Sequence, residues 1–127
     1  MLGLDTNVLV RFLVRDDEGQ FEKAAGLIGS ESEVFVSLLV VMETEWVLRS
    51  RYGYMKEEIL GAISGLLEAM EVRFEDESAV EEALFFWKEG AADFADCLIG
   101  ARNRRAGCLA TATFDAKAAR LPGFTAL

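Results

Sequence analysis

The chain has 127 residues, 52% of them hydrophobic, which suits one domain with a substantial core and argues against disorder. It contains no histidine, and its two cysteines lack the close spacing of a zinc site, so zinc centres and most nucleophilic triads are excluded. The net charge of −9 argues against capture of nucleic acid by a basic surface, although bound cations reverse the local field of an acidic cluster.

The predicted elements alternate between strands and helices. In the first half they are a strand over 1–4, helices over 8–14 and 17–29, a strand over 34–37, and helices over 38–52 and 56–70. In the second half they are a strand over 72–74, helices over 78–89 and 93–107, a strand over 108–112, a helical turn over 116–120 and a strand over 124–127. This alternation implies parallel pairing, so we predict a single layered α/β domain over residues 1–127 with helices flanking the sheet.

The compartment is predicted from two absences in the sequence. No basic N-terminal region precedes an apolar stretch, and the longest apolar run, residues 34–42, is interrupted by Ser37. Neither a signal peptide nor a membrane span is therefore expected, and we predict a cytoplasmic protein. Cys97 and Cys108 fall in different elements, so we expect both to be reduced, buried thiols.

Acidic residues stand at the ends of two predicted strands. Asp5 ends the first strand, and Asp115 follows the late one. Because ligands of parallel sheets bind beyond the carboxyl ends of the strands, both carboxylates should meet at that edge. Capping of the following helix or turn is a second explanation for each of them.

Two glutamates on the third predicted helix receive different interpretations. At 100° per residue, Glu43 lies beside Leu39 and Trp46, which predicts a carboxylate on a buried apolar face. A buried charge needs compensation, so Glu43 is either a ligand of a site or bonded to a structural partner. Glu45 lies one turn before Arg49, which predicts a solvated ion pair.

Two further acidic residues lie at the start of the helix that is predicted over 93–107. Asp93 and Asp96 lie one turn apart on the face of Gly100 and Asn103. Asp93 suits capping and outer-sphere support, whereas Asp96, with the small Gly100 beside it to admit a ligand, is the better metal ligand. Carboxylates without histidine or paired cysteine form an oxygen-only donor set, which predicts Mg²⁺ or Mn²⁺ and a phosphate substrate.

Positive and aromatic residues give weaker indications. Arg102, Arg104 and Arg105 are either a solvated helix face or contacts to RNA phosphates. Residues 85–87, with sequence FFW, are interpreted as core or an oligomer contact rather than a platform for bases.

At this point three segments resemble the PIN-domain family, and specifically its VapC-type toxins. They are LGLDTNVLV at 2–10, DFADCLI at 93–99, and TFD at 113–115 with LPGF at 121–124. The resemblance implies a PIN-like three-layer fold with a central, mostly parallel sheet of four to five short strands. It also implies an Mg²⁺- or Mn²⁺-dependent endoribonuclease that cleaves RNA by water attack, as the toxin of a toxin–antitoxin pair.

The resemblance also assigns roles to residues of this chain. It implies that the catalytic metal ligands are Asp5, Glu43, Asp96 and Asp115, with polar support from Thr6, Asn7 and Thr113. A cognate antitoxin is the implied protein partner, beside the RNA substrate. Independently, the positive mean hydropathy suggests more apolar surface than one core uses, for which a homodimer is the simplest explanation.

Two other functions remain open from the residues. One is a non-catalytic metal-binding protein that acts through partner association. The other is a phosphoacceptor signalling domain, which needs an aspartate that ends a middle strand and a lysine on a late one. No aspartate occurs between Asp17 and Asp76, and Lys117 lies past the late strand.

Overall fold

The computed structural model describes residues 1–30 and 33–127. Within it the chain divides into two compact units, residues 1–77 and 78–127. Each unit has its own parallel sheet and its own helices. The two units are therefore described separately.

Unit 1 carries a three-stranded sheet and four helices. Its elements are β1 (Leu2–Gly3), α1 (Thr6–Val14), α2 (Glu18–Ile28), β2 (Val34–Val36), α3 (Leu38–Ser50), α4 (Lys56–Glu68) and β3 (Val72–Phe74). The strand order is β1-β2-β3, and both pairs are parallel. Val34 pairs with Leu2 on one side and with Val72 on the other, so β2 is the central strand.

At the carboxyl edge of this sheet, polar residues that follow the strands accept hydrogen bonds from the first turns of helices. Asp5 caps α1 after β1, and Ser37 caps α3 after β2. Glu75 follows β3, and its Oε1 accepts a hydrogen bond from the backbone N–H of Leu38 at 2.9 Å. Side-chain acceptors satisfy the first N–H groups of a helix, which otherwise lack partners. The edge where ligands bind in parallel sheets is therefore built from capping residues.

The link between α1 and α2 is tight because Arg15 adopts a left-handed conformation, with φ of 59°. Its Nε donates to Glu18 Oε1 at 2.9 Å, and its guanidinium lies 4.2 Å from the centroid of the Phe21 ring. The Phe12 and Phe21 rings stack with centroids 5.9 Å apart. These contacts fix the packing of α2 against α1.

Unit 2 carries a two-stranded parallel sheet and two helices. Its elements are α5, which begins at the unit boundary (Glu77–Glu89), α6 (Phe94–Arg105), β4 (Thr111–Thr113), a 3₁₀ turn (Ala118–Arg120) and β5 (Phe124–Ala126). Its buried side chains include Val80, Trp87, Phe94 and Leu98. Trp87 and Phe94 meet edge to face with ring centroids 5.2 Å apart.

The α/β class and the parallel pairing are confirmed, with two differences. The five strands are divided between a three-stranded and a two-stranded sheet instead of lying in one sheet. The late strand begins at Thr111 rather than Cys108, because the backbone N–H of Cys108 is used in the motif that ends α6. Gly107, with φ of 95°, and Cys108 donate backbone N–H groups to Arg104 and Asn103, each at 3.0 Å, in a Schellman motif.

Two further sequence predictions concern exposure. Cys97 is buried as expected, but the prediction was wrong for Cys108, which is exposed because it follows the helix cap. Both cysteines are reduced. Across residues 1–30 and 33–127, the helices are too short or too polar to cross a membrane.

Candidate functional site

Asp5 lies at the carboxyl end of β1 and serves as the N-cap of α1. Its Oδ1 accepts the backbone N–H of Val8 at 3.0 Å, so the capping explanation is confirmed. In the described part of the chain, its Oδ2 accepts no hydrogen bond. The side chain is exposed, and one carboxylate oxygen is therefore available for a ligand.

Glu43 is held beside Asp5 by a contact between two helices. Thr6 Oγ1, in the first turn of α1, donates to Glu43 Oε1 on α3 at 2.5 Å. Asp5, Thr6, Asn7 and Glu43 all line one cleft of about 410 Å³ within unit 1. We call Asp5 and Glu43 the first acidic group. Both carboxylates keep an open side toward the same cleft.

The predicted surroundings of Glu43 and Glu45 were wrong. Glu43 is exposed, and its predicted apolar neighbours are exposed too, with Leu39 at 79% and Trp46 at 50%. Glu45 is the buried carboxylate, at 2%. It forms the predicted pair with Arg49 at 2.7 Å, but only the arginine end is solvated. Because Glu43 is exposed, the cost of burying a charge no longer argues that it binds a ligand. Its position in the cleft is a separate argument for that role.

Three aspartates of unit 2 share one electrostatic environment, and we call Asp93, Asp96 and Asp115 the second acidic group. Burial raises the pKa of Asp96, and the charges of Asp115 and Asp93 raise it further. Asp93 occupies the N-cap position of α6, but its side chain makes no capping hydrogen bond, contrary to the sequence prediction. A cation placed near these carboxylates would relieve the repulsion.

Asp115 caps the turn that leads to the 3₁₀ helix. Its Oδ1 accepts backbone N–H groups of Lys117 at 2.7 Å and Ala118 at 2.9 Å. Thr113 Oγ1 in turn accepts the N–H of Asp115 at 3.0 Å, which orients the loop after β4. The predicted capping role of Asp115 is confirmed, and Thr113 forms a hydrogen bond within the same loop.

Gly100 does not make room for a ligand, so that prediction was wrong. A Cβ at this position would lie 2.4 Å from Cε1 of Phe124. The glycine is needed because the Phe124 ring of β5 packs directly against α6. The absence of a side chain at residue 100 is thus explained by packing within unit 2.

The predicted arginine cluster is partly structural. Arg104 pairs with Glu82 at 2.9 Å and donates to the carbonyl of Pro122 at 2.8 Å. Arg102 and Arg105 are exposed. In the aromatic cluster Trp87 is core, as predicted, whereas Phe85 is 59% exposed.

Sequence reasoning missed two features of unit 1. Trp46 and Arg51 line the cleft of the first acidic group. The spacing of three residues between Glu43 and Trp46 was an available signal that these two side chains are neighbours, whereas no local signal placed Arg51 in the cleft. Glu75, a carboxylate at the same sheet edge, was also missed, and it serves the backbone of α3. The central strand β2 is followed by Ser37 rather than by an aspartate, which removes the phosphoacceptor alternative.

The donor chemistry of both acidic groups fits Mg²⁺ or Mn²⁺. Within residues 1–30 and 33–127, no three or more acidic or cysteine side chains are gathered as a preformed metal site. Mg²⁺ keeps several waters and is commonly held by one or two carboxylates, so a small ligand set is compatible with this ion. Asp5 and Glu43, with exposed oxygens at a sheet edge, are suitable donors within unit 1.

The fold and the site define an α/β domain with parallel strands and acidic residues near the strand ends, and comparison with known proteins identifies its family. The model of the PIN domain family matches residues 3–123, so the chain belongs to the PIN domain family. Among solved structures, VapC20 of Mycobacterium tuberculosis, described as a sarcin–ricin loop cleaving toxin, matches with 20% identity. That match covers 90% of this chain and 88% of the other, with a TM-score of 0.46. Curated proteins gave no significant match.

Proposed function

We propose that this PIN-domain protein is an endoribonuclease that cleaves RNA phosphodiester bonds by water attack and requires Mg²⁺ or Mn²⁺. In this proposal Asp5, Glu43, Asp96 and Asp115 are the catalytic metal ligands. The residues that support them are Thr6, Asn7, Asp93 and Thr113. The observation that carries the proposal is the cleft of unit 1, where two carboxylates open beside the end of a parallel strand.

The divalent ion would supply Lewis-acid stabilisation of the phosphate and activation of the attacking water. The residues of the chain prepare for it in distinct ways. Thr6 holds Glu43 in one orientation through a 2.5 Å hydrogen bond. Asp5 keeps one oxygen on the helix N-terminus and leaves the other for a ligand. Asp115 is fixed by its capping bonds in the same manner.

We further propose that the protein is the toxin of a toxin–antitoxin pair and acts as a cytoplasmic homodimer. Membership of the PIN domain family and the segments at 2–10 and 93–99 support this proposal. An antitoxin side chain with a positive charge would be attracted by the acidic groups of this chain, whose net charge is −9. Exposed apolar side chains such as Leu39 and Met70 are available to a partner.

Cleavage of a mixed RNA pool tests the proposed activity. Purified protein should release products with Mg²⁺ or Mn²⁺ and none with chelator. Asp5→Asn and Asp96→Asn should each lose about 100-fold or more of that activity, the usual scale for removing an electrostatic group from an active site. Glu81→Gln removes one exposed acidic charge outside both acidic groups and should cleave like wild type.

Two results would contradict the proposal. Cleavage that persists in both variants would indicate a contaminating nuclease or another site. Absence of cleavage by folded wild-type protein, with a metal-induced rise in its melting temperature, would favour the alternative of a non-catalytic metal-binding interaction protein.

A further inference from the structure

Besides Asp5 and Glu43, the cleft of the first acidic group is lined by residues that have no part in the proposed metal binding. Glu43 and Trp46 of α3 and Arg51, the C-cap residue of that helix, all line this cleft. Because the helix rises 1.5 Å per residue, the three positions span about 12 Å along its axis. The cleft wall therefore carries a carboxylate, an indole and a guanidinium.

Trp46 is an available aromatic surface. Its side chain is 50% exposed, whereas the other tryptophan, Trp87, is 5% exposed and packs on Phe94. Val40 and Val47 line the same cleft, so part of its wall is apolar. A half-exposed indole at the wall of a cleft can stack on a planar ring of any nucleobase.

Arg51 is an available cation. Its side chain is exposed and makes no ion pair or hydrogen bond with the described part of the chain. Other arginines of unit 1 differ: Arg49 is held by Glu45, and Arg11 by Asp16. In a chain with 22 acidic and 13 basic residues, an arginine that keeps no carboxylate partner can bind an external anion.

We propose that this cleft is a nucleotide subsite for single-stranded RNA, in which a base stacks on Trp46 and a phosphate binds Arg51. The inference rests on the proposed function, since it takes RNA as the substrate, and it adds how the strand is positioned beside Asp5 and Glu43. Stacking tolerates every base, so the subsite orients the strand rather than reading its sequence. A base must leave its stack to reach Trp46, and unpaired RNA is therefore favoured over duplex.

A peptide is the competing occupant of this cleft. Its apolar side chains could cover Trp46, Val40 and Val47. The chemistry of the lining favours a nucleotide, because the cleft offers an exposed indole for a base and an available guanidinium for a phosphate. Asp5 and Glu43 line the same cleft, so a strand bound there would lie beside the proposed metal ligands.

Titration with a short single-stranded RNA of mixed sequence tests the subsite. RNA binding should quench the fluorescence of wild-type protein but not of Trp46→Phe, which keeps an aromatic ring and should bind within a few-fold. Trp46→Leu, measured by anisotropy of labelled RNA, should bind about 5- to 100-fold more weakly, the range for one stacked base. Arg51→Gln should reduce the slope of log affinity against log salt by about one.

Matched controls use exposed residues that do not line the cleft. Phe85→Leu removes another exposed aromatic ring, and Arg73→Gln removes another exposed arginine charge. Both should bind RNA like wild type. Circular dichroism verifies that each variant is folded, and a duplex of the same sequence should quench the wild type much less.

The outcomes separate this inference from the proposed activity. Wild-type affinity and salt dependence in Trp46→Leu and Arg51→Gln, with cleavage intact, would overturn the subsite alone. Quenching by RNA without metal-dependent cleavage would overturn the nuclease alone. Fluorescence that responds to a basic, apolar peptide but not to RNA would assign the cleft to a protein partner and overturn the subsite.

Discussion

Glu43 and Glu45 on α3 have opposite surroundings although a single residue separates them. Successive helix positions differ by 100°, so a displacement of two residues turns a side chain from the cleft into the core. Glu45 is 2% exposed and bonded to Arg49, while Glu43 is exposed and bonded to Thr6. One carboxylate is thus structural, and the other is available for chemistry.

Substitution of these two glutamates should separate stability from activity. Glu45→Ala should lower the free energy of unfolding by about 1–3 kcal/mol, because it removes a charged hydrogen bond and buried contacts. Glu43→Gln should change stability by less than about 0.5 kcal/mol and reduce RNA cleavage about 100-fold or more. Urea denaturation and cleavage assays measure the two effects. Equal stability losses would contradict the assigned surroundings.

The contribution of Asp96 to stability should change with pH in a direction that follows from its pKa. Burial and the charges of Asp115 and Asp93 raise its pKa in the folded state above the value of about 3.9 in the unfolded chain. The stability linked to its protonated form is complete below that unfolded pKa and is lost as pH rises through the folded one. In chelator, Asp96→Asn should therefore exceed wild type in melting temperature at pH 7 and match it near pH 3. A variant less stable than wild type at pH 7 would contradict this sign.

At the scale of elements, α6 and β5 are joined by a close approach at Gly100. A methyl group there would meet the Phe124 ring at 2.4 Å. Gly100→Ala should lower stability by about 1–3 kcal/mol, as overpacked sites do, despite the better helix propensity of alanine. Phe124→Leu in the same chain should recover part of that loss. Thermal unfolding of both single variants and the double variant measures the coupling, and simple additivity would contradict it.

The sequence predicted most elements because their signals are local. Strands over 34–36 and 72–74 and the helix from residue 56 follow from apolar patterning and nearby caps. The start of β4 was misplaced because residues 108–110 are as compatible with a strand as residues 111–113 are. The cap at Gly107 decides between them, and positive φ at that glycine cannot be distinguished in sequence from a turn inside a strand.

The sequence predicted the residues of the candidate site better than it predicted their surroundings. Asp5 and Asp115 were identified because each follows a strand. That inference holds even when the predicted end of the strand is wrong by one or two residues. The surroundings of Glu43 and the role of Gly100 depend on which helix face meets other elements, and Phe124 lies 24 positions from Gly100. Such long-range packing has no local signature, so Trp46 and Arg51 were not recognised as cleft residues.

At the scale of the whole molecule, the charge of −9 predicts a dependence on divalent ions. An ion that binds the folded state alone stabilises it, by about 2.7 kcal/mol at a hundredfold excess over its dissociation constant. Saturating Mg²⁺ or Mn²⁺ should therefore raise the melting temperature of wild type by several degrees, and much less for Asp96→Asn. Differential scanning fluorimetry measures this, with Glu81→Gln as the matched charge control. Equal shifts in wild type and Asp96→Asn would contradict a role for Asp96 as ligand.

The contrast between Cys97 and Cys108 gives the unaltered chain its own chemical reporter. Cys108 is exposed in the native state, and Cys97 is 3% exposed within unit 2. A thiol-specific reagent should add one label quickly and the second only when unit 2 opens. The rate at which doubly labelled protein forms, measured by mass spectrometry, would therefore report the opening of unit 2. The same thiol at residue 108 accepts a fluorophore or spin label without any substitution in the acidic groups.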